Sequence, residues 1–104
     1  MIVDCQAHWA PRWFPEAMAE RADPPCVRGE RLWIDEVCWL RLDERFWDLR
    51  LRLQAMDEAG VDVQAVSFPP IGVDRLEPPE AEPLVRRLND ELLEACARRP
   101  DRLW

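Results

Sequence analysis

The chain has 104 residues, 48% hydrophobic and 34% charged, which suits one small folded domain and argues against a disordered chain. Its net charge of −7, with all 14 basic residues arginine, argues against a nucleic-acid or anionic-membrane surface, since both need clustered positive charge. No apolar run approaches the roughly 20 residues of a membrane-spanning helix. The 4 cysteines, without a C-x-x-C pair or a secretory leader, predict free thiols in a cytoplasmic protein.

Residues 2–8 read as a short strand, with Asp4, Gln6 and His8 on one face and Val3, Cys5 and Ala7 on the other. Pro11 and Pro15 bracket a turn. The stretch "PEAMAERA" (15–22) suits a short helix with Pro15 near its first position, ended by "DPP" (23–25). "CVRGERLWIDEV" (26–37) reads as a hairpin with Gly29-Glu30 at its tip, in which Leu32, Ile34 and Glu36 alternate with Trp33, Asp35 and Val37. A disulfide between Cys26 and Cys38 across that hairpin stands beside the plainer expectation of free thiols.

Residues 48–60 carry two periods at once. Leu49, Leu51 and Leu53 alternate as in a strand, whereas Phe46, Leu49, Leu53 and Met56 keep helical spacing. The lack of β-branched residues and the closing Gly60 decide for a helix. Residues 61–68 form a β-branched strand stopped by Pro69-Pro70, and 71–79 form a loop. A second helix covers about 79–98, with Ala81, Leu84, Val85, Leu88, Leu92 and Ala95 along one face. "RLW" (102–104) begins another strand. The resulting order is α/β, a βαβα run with parallel strands and right-handed crossovers.

Four stretches in this order carry a family resemblance: "IVDCQAHWAP" (2–11), the hairpin, "RFWDLRLRLQAMDEAGVDVQAVS" (45–67) and "LVRRLNDELLEACARRPDRLW" (84–104). Together the chain resembles the N-terminal part of an amidohydrolase-superfamily protein, of the amidohydrolase-related branch that contains aminocarboxymuconate-semialdehyde decarboxylase. The resemblance implies a (β/α)8 TIM-type barrel with a β-hairpin insertion after its first strand. Such a barrel takes about 250 residues, so residues 1–104 would be an incomplete barrel domain. It also implies a divalent metal, zinc before others, acting as Lewis acid and water activator on a small organic acid or amide.

The same resemblance assigns candidate residues. His8, the sole histidine, matches the second ligand of the family's D-x-H-x-H turn, and Gln6 stands where the first histidine belongs. A glutamine carbonyl is a weak neutral donor, better suited to hard cations than to zinc. The plainer role for His8 is a hydrogen-bonded histidine in a half-buried turn. Trp9 is a candidate pocket wall or a core residue. Ser67, at a strand end, is a candidate substrate contact or an ordinary terminus. Arg41 is the candidate carboxylate clamp, or a solvated surface arginine. Asp4 either supports the site or meets a backbone donor. Asn89 and Asp90 are expected to pack or cap.

Three functional readings follow. In the first, the chain is the front of a metal-dependent hydrolase or decarboxylase, with a homo-oligomer as its expected assembly. In the second, it is a truncated and inactive fragment with no metal, because one histidine and two βα units do not assemble a three-ligand site. In the third, it is a small module that dimerises through its strand edges.

Overall fold

A computed structural model describes residues 1–69 and 72–104. The chain is mixed α/β, with two separate sheets. Strand β1 (Val3–His8) leads into helix α1 (Trp13–Ala19). Next come β2 (Cys26–Arg28), β3 (Arg31–Ile34) and β4 (Val37–Arg41), then α2 (Leu49–Ala59), β5 (Val63–Ser67) and α3 (Pro78–Arg98). Among the described residues, no helix is long and apolar enough to cross a membrane.

β1 and β5 pair in parallel, from Val3 opposite Val63 to His8 opposite Ser67. On the other side of β5, Leu103 forms a parallel bridge with Gln64. Gln64 N–H donates to Arg102 O, Trp104 N–H to Gln64 O, and Val66 N–H to Trp104 O, at 2.8–2.9 Å. The expected further strand at "RLW" therefore begins where the alternation placed it. Arg102 ties it down: its guanidinium donates to Asp62 O at 2.7 Å, Val61 O at 3.1 Å and the Asp57 carboxylate at 2.8 Å.

Helix α2 resolves the double period in favour of the helix. Asp48 caps it by accepting Leu51 N–H at 3.0 Å. Gly60, at φ 69°, ends it with Gly60 N–H on Asp57 O and Val61 N–H on Met56 O, a glycine-closed helix end. In α3, Leu88 and Ala95 are buried and the other stripe residues half-buried, as the spacing predicts. Asn89 and Asp90 are exposed rather than packed. Pro70 and Ile71, which belonged to the expected strand stop and loop, lie outside the described residues.

Three local expectations need correction. Helix α1 starts at Trp13, with Pro15 in its third position, and ends at Ala19. Proline fits anywhere in a first turn, because those N–H groups have no helical acceptor. The hairpin is a three-stranded antiparallel sheet, β2–β3–β4. Its first turn falls at Gly29-Glu30 as expected. A second turn at Asp35-Glu36 breaks the presumed alternation, with Asp35 taking φ 54°, a conformation aspartate tolerates. Cys26 and Cys38 then pair with Trp33 from opposite sides. Two strand spacings put their backbones roughly 9–10 Å apart, beyond disulfide reach. Both thiols are free.

The core sits between α1, the antiparallel sheet and α3. Phe14 and Met18 from α1 meet Val27, Leu32, Leu42 and Leu88, with Ala10 at the exit of β1. Spacing of four puts Phe14 and Met18 on one helix face. This packing fixes the chain just after His8.

Candidate functional site

The ends of β1 and β5 define the candidate site. His8 and Ser67 are register partners, and Trp9 N–H extends the ladder to Ser67 O at 2.9 Å. The Ser67 hydroxyl lies 3.4 Å from His8 Nδ1. When Nδ1–H donates to that hydroxyl, Nε2 carries the lone pair and faces a ligand or a proton. Among the described residues, Ser67 is the side chain that meets the ring.

The strand itself departs from simple alternation. Asp4 pairs with Gln64 and Ala7 with Val66, so β1 carries one residue more than β5 between them. Cys5 and Gln6 are both exposed, while Ala7 is buried. The even spacing of Asp4, Gln6 and His8 on one face does not survive this bulge. Asp4 stabilises the bulge: Oδ1 accepts Gln6 N–H at 3.0 Å, and Oδ2 accepts Gln64 Nε2 at 3.1 Å. It thus meets a backbone donor and a side chain together.

A residue that sequence reasoning passed over lies beneath this end. Arg52, on α2, is 7% exposed. Its Nη1 donates to Gln64 Oε1 at 2.8 Å and its Nη2 donates to His8 O. The guanidinium stands 5.8 Å from the Trp9 ring centroid, a cation–π contact. Burial lowers its affinity for a proton below the usual arginine range, offset by Asp4 and Asp43, and it remains a cation. Its Nε and the indole Nε1 of Trp9 have no acceptor among the described residues. The available signal was an arginine within the apolar helical stripe of Leu49, Leu53 and Met56, of which Met56 is buried and the two leucines half-buried.

The other predicted residues fall in different places. Trp9 is buried and lines a cleft of about 500 Å³ with Trp47, Leu49 and Ala95; neither His8 nor Ser67 lines it. Arg41 lies on β4, in the other sheet, where its guanidinium pairs with Glu30 at 2.6 Å on the surface. Arg45 pairs with Asp43 at 2.7 Å. Among the described residues, no three His, Cys, Asp or Glu side chains converge. His8 and Gln6 offer one imidazole and one amide oxygen, which alone fall short of the three protein ligands a catalytic zinc takes.

The described molecule is therefore an α/β protein whose candidate site lies at the C-terminal ends of parallel strands. The chain is similar to curated decarboxylases. It is 38% identical over 66 residues to a gamma-resorcylate decarboxylase of Rhizobium radiobacter, which covers 62% of this chain and 20% of that protein. It is 38% identical over 83 residues to a gamma-resorcylate decarboxylase of Rhodococcus jostii (strain RHA1), covering 78% of this chain and 25% of that one. The chain thus spans a quarter or less of the length of the curated relatives it matches. No family model matches it.

Proposed function

We propose that the chain is the front portion of an amidohydrolase-related enzyme that decarboxylates a small organic acid. The observation that carries this reading is the meeting of His8 and Ser67 at matched C-terminal strand ends. In parallel α/β folds, ligands bind beyond those ends. Both relatives are named as decarboxylases, which favours loss of CO2 over hydrolysis of a C–N or C–O bond. In this reading β1, β5 and the Leu103 segment are successive strands of a (β/α)8 barrel, and the antiparallel sheet is an insertion.

Within the proposal, His8 gives one imidazole to a divalent ion, zinc before others, and Gln6 a neutral oxygen. Such an ion, when bound, polarises an oxygen of the substrate or of water. The remaining ligands lie outside these residues. Ser67 sits where a substrate would meet the strand ends. Trp9 acts from below, through its contact with Arg52, and not as a wall of the His8 and Ser67 site. Arg41 holds a carboxylate only after exchanging Glu30 for it.

The test is CO2 release from gamma-resorcylate by the protein expressed from its complete reading frame, with metal content measured in parallel. His8→Ala should abolish release and lower bound metal. Absence of release in the unaltered protein, together with metal content indifferent to His8→Ala, refutes the reading. A second reading, a dimerising module, rests on one observation: among the described residues β1 is paired on one side only, with exposed Ile2 at its start. Light scattering on the purified chain decides it, since a metal-free dimer supports the module and a monomer removes it.

A further inference from the structure

Arg52 occupies the inward stripe of α2, where helical spacing calls for an apolar side chain. A buried cation is strongly unfavourable unless fixed acceptors meet it; both Nη groups of Arg52 find one, while its Nε has none among the described residues. Here the acceptors belong to two strands: Gln64 Oε1 on β5 and the carbonyl of His8 on β1. The guanidinium is planar and rigid, so it sets the spacing between them.

The His8 carbonyl and the Trp9 N–H are the two ends of one peptide unit. Arg52 holds the first, and Ser67 O holds the second at 2.9 Å. Both ends of the plane are thereby pinned, which fixes the backbone torsion from which the His8 side chain departs. Gln64 is held in turn by Asp4, whose other oxygen closes the bulge at Gln6. We propose that Arg52 is a positioning residue, which fixes the direction of the His8 ring beside the Ser67 hydroxyl. The proposal rests on the functional reading above only for what the ring then does; the geometry involves neither metal nor substrate.

The single histidine makes the test clean, because His8 gives the only imidazole resonances of the chain. In the native protein, χ1 couplings of His8 should report one rotamer, and the Nδ1 shift should report the contact with Ser67. In Arg52→Met, with amide signals of β5 and the Leu103 bridge retained, the couplings should collapse to a rotamer average and the Ser67-dependent shift should be lost. A folded Arg52→Met protein with an unmoved ring overturns the proposal. Should that variant unfold, Arg52→Lys decides: it keeps the charge but offers one ammonium in place of the two-pronged donor. An averaged ring in Arg52→Lys supports the proposal, and a native-like ring overturns it. Ring disorder in the variants, with no CO2 release by the unaltered protein and metal content indifferent to His8→Ala, leaves the positioning role standing and removes the enzyme reading. CO2 release with an immovable ring does the reverse.

Discussion

Arg102→Ala should loosen the terminal segment that Leu103 bridges to β5 without unfolding the rest. The Arg102 side chain is 20% exposed, whereas its partner Asp57 is 66% exposed. Its bond to Asp62 O is short, at 2.7 Å, but exposed, and its bond to Val61 O, at 3.1 Å, is partly buried. A hydrogen bond from a charged donor contributes about 1.5–3 kcal/mol. Two such bonds at the low end of that range would give about 3 kcal/mol, and exposure of the Asp62 contact reduces the pair to about 2 kcal/mol. The exposed pair with Asp57 adds at most about 0.5 kcal/mol. Amide exchange at Gln64, Val66 and Trp104 reads the loss directly, since their N–H groups bridge β5 to the terminal segment. A loss of about 2 kcal/mol corresponds to about 30-fold faster exchange through local opening. Asp57→Asn should change those rates less than about 3-fold. Equal effects from the two substitutions, or unchanged protection in Arg102→Ala, would refute the reasoning.

Three further outcomes are expected. Asp48→Ala removes the α2 cap and should lower stability by about 1 kcal/mol in urea titration, while Asp48→Ser keeps most of it; equal losses would deny the cap. Among the thiols, Cys5 and Cys38 are exposed, Cys96 is half-buried with burial pushing its thiol up, and Cys26 is buried. A maleimide at neutral pH should therefore label two sites quickly, Cys96 slowly and Cys26 only on unfolding; four equal rates would contradict this placement. Asp43 is held below the usual carboxylate range by its side-chain hydrogen bond with Arg45. Its folded pKa lies under its unfolded value, so its contribution is present above pH about 4 and disappears as pH falls through the folded pKa. Asp43→Asn should thus lower the urea midpoint more at pH 6 than at pH 3, and an equal difference at both pH values would sink the linkage.

The elements that the sequence made legible are those whose signals are local. Asp48 and Gly60 bound α2, the stripe through Leu88 and Ala95 marks α3, and Gly29 marks the first turn of the antiparallel sheet. The turn at Asp35-Glu36 carries no glycine or proline, and so the strand pattern ran through it. The β1 bulge is set by register against β5, some 60 residues away, and no window around Asp4 contains it. Placing His8 and Ser67 at strand ends was within reach of pattern reading. That they face each other depends on the parallel pairing. Arg52 was visible as a charge in an apolar stripe, but its acceptors on β1 and β5 are fixed only by the fold.

The two sheets differ in the length of chain each must close. The antiparallel sheet joins neighbours as near as Arg28 with Arg31 and Ile34 with Val37, whereas β1 meets β5 across about 60 residues. Closing the longer loop costs about 2 kcal/mol more in chain entropy. Hairpins form in about 1–10 μs, so the antiparallel sheet can organise on its own as it emerges. During synthesis at about 5–20 residues per second, β1 waits about 3–12 s for its partner strand to be made. The strand that carries His8 is thus translated before its partner and paired late, and its apolar Ile2-Val3 start stays unpaired with β5 through that interval.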